Sequence, residues 1–469
     1  MSVSSLSVFR EGGVSILRLY LEKGINELKF ERKLNLMKQS LEKNTLIIAL
    51  ITGSVIWGGT SVYAEEPEQV FTLDPMVVTA QRMETRDLDT PAAVEVLNHE
   101  QLIATGGNNL QEALKFGTGL MFQSQGTKGT SQGTMNSKII IRGVEKGTLV
   151  LVDGVPLNQS GRYNLEDIST EMVEKVEIIR GGGAVLYGSE ATGGVINIIT
   201  RGKRPNKIKT SFGNYEQQSH AISLQASKLG VSYAYDKIGN IDNISDPNGG
   251  RPVGNYYTIT RGEHNNFNIR YDFNEKLYFS HTYNENNAHY VYRYKPQNGA
   301  INKDVIHTIK NHMSQLHYDD KSIKAVLYYN DKKQNAFTKA RNSKSKPTEY
   351  LETMKSFSNA GYHDKSLGFD VQKNWILNKN TAVLGISFQN DKCDYKEDSL
   401  TLANNKYTFA SRDYERSMYS IYGQYIHYLN QASNIIFSVR ETWTGSTKAE
   451  DLNGVNYSKF TPEIEYINK

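Results

Sequence analysis

The chain has 469 residues, 38% hydrophobic and 22% charged, with 54 basic and 50 acidic residues and a formal net charge of +4. Eight of the basic and five of the acidic residues fall in positions 1–64, so the remainder is close to neutral and gives no electrostatic case for nucleic-acid binding. A single cysteine, Cys393, excludes an intramolecular disulfide and a multi-cysteine metal site, while 29 tyrosines point to a β-rich or interfacial protein.

The first element is a leader. From Met37 the chain reads MKQSLEKNTLIIALITGSVIWGGTSVYA, with Lys38 and Lys43 ahead of an apolar core from Leu46 to Trp57. Small Val62 and Ala64 occupy the minus-three and minus-one places of a cleavage site before Glu65, the pattern of a secretory signal peptide. A single membrane-spanning helix needs about 20 apolar residues, and this run is shorter and broken by glycine and threonine. Residues 1–36 fit no part of such a leader, which makes Met37 a candidate start.

Next comes TLDPMVVTA, Thr72 to Ala80. Pro75 disfavours helix before it, and the β-branched run Met76-Val77-Val78-Thr79-Ala80 is suited to adding as a strand to a partner's sheet edge. The alternative is an ordinary first strand of the domain that follows.

Residues 85–204 read as a mixed α/β domain. Two short helical pieces are expected at Glu100–Ala104 and Asn109–Phe116, with Asn98 and Asn108 as caps. KIIIRGV and GTLVLVDGVPL are buried strands, the second turning at Asp153-Gly154. Arg142 and Arg180 close the strand-like stretches KIIIR and VEIIR; each is either a surface arginine at a strand end or a buried one that demands a partner. The Gly181–Gly183 run invites comparison with a phosphate cradle, but no Gly-Lys-Ser/Thr follows and no helix start is evident. No Ser/His/Asp or His/Glu grouping has the spacing of a nucleophile or metal site, so an enzyme is not expected.

From 205 to 469 the pattern is alternation: Phe267, Ile269, Tyr271 and Phe273 share one face of NFNIRYDF, and Ala382, Leu384, Ile386 and Phe388 one face of AVLGISFQ. Short turns at 228–230, 274–276, 319–321, 378–380 and 430–431 alternate with long polar links at roughly 237–262, 284–312, 330–356 and 390–415. A soluble sandwich also alternates; short turns on one side and long links on the other are the organisation of an outer-membrane barrel, here of roughly twelve strands.

Taken together, the chain from about Leu73 onward resembles the TonB-dependent outer-membrane receptors. The likeness is densest in IIIRGVEKGTLVLVDGVPLN (139–158) and VEKVEIIRGGGAVLYGSEATGGVINIITR (173–201), although Gly182 stands where the family pattern has proline after Arg-Gly. The resemblance implies a mainly β protein: an N-terminal α/β plug domain inside an antiparallel transmembrane β-barrel of about twenty-two strands. Only about the first twelve are expected here: either the barrel is small, or the chain is the N-terminal part of a longer one, or it is a truncated, non-functional product. It divides the chain into a leader (1–64), TonB box and linker (65–84), plug (85–204) and barrel (205–469).

It further implies a monomer in the outer membrane, in contact with lipid and binding no nucleic acid. The receptor would take up a small-molecule ligand, foremost a ferric siderophore, with no resident cofactor or metal. Met76–Ala80 would be the box that engages the TonB complex, and Arg142 and Arg180 would seat the plug on barrel glutamates. Ligand contacts are expected from Arg162 and Tyr163 in the plug and from Tyr292, Arg293 and Tyr294 in the outer loops. The last three fit a rim of aromatics and solvated charges equally well. Haem or cobalamin stay open as cargo, with His281, His289, His307, His312 and His317 available to a haem site. A passive plugged channel is the rival of another class; it would need no extended segment after the leader.

Overall fold

A computed structural model describes residues 76–77, 85–86, 93–117, 119–123, 138–144, 147–158, 161–180, 184–202, 205–245, 256–293, 301–342, 354–402, 404–430, 432–448 and 456–468. The leader lies outside them, as do Val78–Ala80, Gly181–Gly183 and Tyr294. Two short strands come first, β1 (Met76–Val77) and β2 (Thr85–Arg86), paired antiparallel.

The α/β domain follows. Strand β3 (Ala93–Asn98) runs into helix α1 (His99–Ala104). Asn98 accepts the Gln101 N–H while the Gln101 side chain accepts the Asn98 N–H, a reciprocal cap that satisfies two orphan donors. Helix α2 (Leu110–Ala113) is capped by Asn109, one residue later than the sequence suggests, because the Asn109 side chain reaches the Glu112 N–H. After β4 (Leu120–Gln123) and β5 (Lys138–Ile141), which pair, β6 (Thr148–Val152) and β7 (Val155–Pro156) form a hairpin. Its turn has positive φ at both Asp153 and Gly154, as a two-residue hairpin requires. Strand β8 (Val173–Arg180), helix α3 (Ala184–Tyr187) and β9 (Gly194–Thr200) complete a five-stranded sheet of order β3-β8-β9-β6-β7, antiparallel except for the β6/β9 pair. Leu102, Leu110, Leu114, Val150, Val176, Ile178 and Ile196 are fully buried in its core.

The rest is one long antiparallel sheet. Its strands are β10 (Lys207–Phe212), β11 (Gln218–Ala226), β12 (Leu229–Ile238), the short side strand β13 (Ile241–Ser245), β14 (Tyr256–Asp272), β15 (Leu277–Arg293) and β16 (Ile301–Asp319). They continue as β17 (Ile323–Asn342), β18 (Met354–Leu377), β19 (Asn380–Thr401), β20 (Lys406–Tyr428), β21 (Ser433–Lys448) and β22 (Ser458–Asn468). Leaving β13 aside, twelve strands pair in chain order; among the described residues β10 pairs only with β11 and β22 only with β21, so the sheet is open.

The short turns fall where alternation places them, but the long polar links do not. Residues 284–293, 301–312, 330–342 and 390–401 continue as strand, and β18 reaches 24 residues where about 9–11 suffice to cross a bilayer. Their polar residues alternate with polar residues, so both faces looked like loop.

The two faces of the sheet differ. The α/β domain lies against one face. On the other, an unbroken cross-strand row runs Tyr271–Phe279–Leu316–Leu327–Phe369–Phe388–Tyr419–Trp443, each residue directly opposite the next. Most of these side chains are exposed, as are Val371, Leu384, Ile386, Ile421, Phe437 and Val439 nearby. An exposed apolar band of this extent is uncommon on a water-facing surface.

Candidate functional site

Polar side chains hold the α/β domain to the sheet. Gln315 and Asn330 donate to the carbonyls of Val152 and Pro156 in the β6–β7 hairpin, at 3.3 and 3.2 Å. Arg440 donates to the Leu186 carbonyl of α3 at 2.8 Å, with Tyr422 beneath its guanidinium. Arg416 bridges Glu190 of the domain (3.1 Å) and Asp391 of the sheet (3.2 Å). Two apolar contacts join in: Met313 packs into the domain's core, and Leu186 and Tyr187 of α3 pack with Val383 and Tyr422 of the sheet. An interface made this way resembles a separable contact more than a continuous core.

The centre of the junction is a charge ladder. Arg162 reaches from the domain to Asp364 on β18, its Nη2 within 2.7 and 2.8 Å of the two carboxylate oxygens and 3.3 Å from Cys393 Sγ. Burial pulls the Arg162 pKa down, but attraction and hydrogen bonding to Asp364, with Cys393, raise it above its ordinary value. Asp167 is buried nearby, accepting from Asn164 (2.7 Å) and Asn286 (3.4 Å). Burial pushes its pKa up to about 6 against the attraction of Lys332 and those hydrogen bonds. Lys332, 3% exposed on β17 directly opposite Asp364, is the cation acting on both carboxylates.

Beyond this ladder, toward the long-link ends of the strands, the same face carries Tyr362, Tyr395 and Arg412, opposite one another on β18, β19 and β20. The two tyrosine rings lie 4.8 Å apart, and the Arg162 guanidinium stacks 4.0 Å from the Tyr362 ring. Flat aromatic faces beside guanidinium groups suit a planar or anionic ligand.

The expected site residues separate. Arg162 is at the junction. Tyr163 instead points into the domain core, 6% exposed, its hydroxyl accepting from the Ile139 N–H, because the residue beside it in an extended segment faces the other way. Arg180 pairs with Glu95 inside the domain, and Arg142 sits exposed in a turn at φ 52. Across the junction, Arg162 reaches from the domain to Asp364, and Arg416 and Arg440 reach from the sheet to the domain. Tyr292 and Arg293 end β15, and Met76–Val77 are extended as β1; the side chains of these four and everything of Val78, Thr79, Ala80 and Tyr294 lie outside the described residues. The five histidines do not converge: His281, His289 and His312 are on the apolar-band face, His307 and His317 on the domain side. Asp364, Cys393, Tyr362, Tyr395 and Arg412 carry no sequence signal beyond alternation.

Residues 86–195 match the family described as TonB-dependent Receptor Plug Domain. Residues 86–195 are a TonB-dependent receptor plug domain. In fold, the plug and long sheet together match part of such receptors. Over 189 residues the chain is 31% identical to the vitamin B12 transporter BtuB of Vibrio cholerae, a match covering 39% of this chain and 29% of that protein. BtuB of Vibrio vulnificus is 34% identical over 162 residues, 34% of this chain and 25% of the relative. The matched region thus spans less than a third of these curated relatives. In fold, the chain is similar to the ferripyoverdine receptor of the Pseudomonas aeruginosa outer membrane, with a TM-score of 0.59 at 12% identity, covering 84% of this chain and 57% of that one. It is also similar to the copper transporter OprC, with a TM-score of 0.57 at 14% identity over 81% and 62%.

Proposed function

We propose that the chain serves energy-coupled uptake of a scarce ligand across an outer membrane, foremost a ferric siderophore. After export by the leader at 37–64, the wall inserts as a monomer with its apolar band in lipid. Ligand is taken from outside onto the surface of Arg162, Tyr362, Tyr395 and Arg412. A TonB-type partner engages Met76–Ala80 by strand addition, and pulling there shifts the plug. The observation that carries this reading is a plug fastened by polar contacts to one face of a wall whose other face bears a continuous apolar row.

The test is deletion of Met76–Ala80. Uptake should stop while ligand binding at the cell surface persists; full-rate uptake without the segment would sink the mechanism. A passive channel differs in that its conductance would ignore the proton-motive force. Cobalamin is the second reading for the cargo, favoured by the curated relatives named as vitamin B12 transporters. Direct binding of ferric catecholate, haem and cobalamin, measured side by side, separates the candidates.

A further inference from the structure

Between the charge ladder and the short-turn ends of the strands, a gap separates plug from wall. It is a cavity with about 90 Å³ of room for water, bordered on the plug by Gly154 and Gly188 and on the wall by Tyr328, Asp370, Ser387 and Ser420. One water needs about 10–15 Å³ of such room, so the cavity takes several. The sequence makes this space. Tyr328 stands directly opposite Gly368 and Tyr422 directly opposite Gly385, where a Cβ would collide with the ring it faces. Each tyrosine ring therefore lies across its glycine, against the wall.

Position and packing both single the cavity out. Tyr362, Asp364 and Asp370 follow one another on one face of β18 toward its short-turn end, and Tyr395, Cys393 and Ser387 do the same on β19. The aromatic surface, the Arg162–Asp364 pair and the cavity thus succeed one another along the same strands. On the opposite flank the plug is tied directly. Asn108 reaches Asp236 at 3.4 Å, His264 the Glu166 carbonyl at 3.0 Å and Asn286 Asp167 at 3.4 Å, with Met313 in the plug core. Recesses against β10–β14 leave only about 20 Å³ each. Dispersion attraction falls away across a gap, so two bodies part most readily where atoms already lack partners.

We propose that cargo passes along β17–β20 and that the plug parts from the wall there first, opening from this cavity while the β12–β16 contacts hold as the hinge. This rests on the uptake reading above. Ligand pockets run to about 300–1,000 Å³, so the cavity at rest passes no cargo and the parting has to come first. Parting there breaks the Arg162–Asp364, Arg416–Glu190 and Arg440–Leu186 contacts and spares those of the opposite flank.

The experiment uses the 469-residue chain in detergent micelles, with maleimide labelling followed as urea is raised and global unfolding read by circular dichroism. Ser387 on β19 and Ser219 on β11 are both half-buried and line the cavity and a recess of the opposite flank respectively. Labelling of the unaltered chain gives the Cys393 contribution to subtract. Below the unfolding midpoint, Ser387→Cys should label at least about tenfold faster than Ser219→Cys, as local opening of one flank requires. Ser420→Cys, a second reporter in the cavity, should follow Ser387→Cys. Equal rates, or faster labelling of Ser219→Cys, overturn the path and leave the uptake reading standing, because uptake is read separately by deleting Met76–Ala80. Full-rate uptake after that deletion overturns the mechanism on which the path rests.

Discussion

Arg162 of the plug and Asp364 of the wall, 202 residues apart in sequence, close a charge-assisted contact at 2.7 Å with the carboxylate 1% exposed. The pair joins the two parts of the molecule beside the stacked rings of Tyr362 and Tyr395. Removing the arginine leaves Asp364 buried beside Lys332 without the guanidinium that donates to both its oxygens. Arg162→Ala should cost about 3 kcal/mol of stability, in the range for breaking one side of a buried pair. Arg162→Ala/Asp364→Ala should cost much less than the sum of the single changes, read by thermal unfolding as a double-mutant cycle. Additive costs would mean that the contact does not form in solution.

Cys393 offers a reporter for the same contact. It is the chain's only cysteine, buried, with the Arg162 guanidinium on its sulfur. Maleimide should label it slowly in the intact protein, because access requires the plug to lift. Arg162→Ala should speed labelling by about tenfold or more, the factor that 1.4 kcal/mol of easier opening produces. Unchanged rates would show that the junction opens elsewhere.

Asp167 predicts the pH dependence. Its folded pKa of about 6 lies above the ordinary carboxylate value of 3.8, because burial outweighs the nearby Lys332 and the hydrogen bonds from Asn164 and Asn286. The folded protein therefore holds this proton more tightly than the unfolded chain. Stability from this group is greatest below about pH 4 and declines through the window from about 4 to 6, with a penalty of about 3 kcal/mol above it. Asp167→Asn should flatten that part of the stability profile measured from pH 4 to 7. An unaltered slope in the variant would assign the titration to another group.

What the sequence disclosed and what it withheld divide along the range of the interactions. The Asn98 cap, the Asp153-Gly154 turn and the short wall turns depend on neighbours within a few residues, and all were readable from local pattern. The Arg162–Asp364 pair was not, since it depends on the register of β17, β18 and β19 together. Arg416 and Arg440 looked like ordinary polar wall residues, because a strand facing a plug alternates polar with apolar just as a strand facing water does. The outer halves of the long strands were missed for a related reason: past Lys365 or Asn390 both faces are polar, and period-2 contrast vanishes. One further miss is the one-turn helix Ala184–Tyr187 after the glycine run, too short to show periodicity.

The same glycine-rich stretch carries the last prediction. Gly194 opens β9 at φ +150, and a Cβ there would stand 2.4 Å from the Ile179 carbonyl and 3.0 Å from the Ile141 side chain. Both neighbours are fully buried and one of the contacts is to backbone, so no side chain can swing clear. Gly194→Ala must therefore spread the β8–β9 pair, and should cost at least about 2 kcal/mol from the backbone conformation and the clash together. Gly154→Ala is the control, since its φ of +81 is also positive but nothing lies within 4 Å of its Cβ. That substitution bears conformational strain alone, about 1 kcal/mol. Urea unfolding of the two variants should rank Gly194→Ala clearly below Gly154→Ala. Equal stabilities would mean that close packing of β9 on β8, rather than turn freedom alone, is not what this glycine provides.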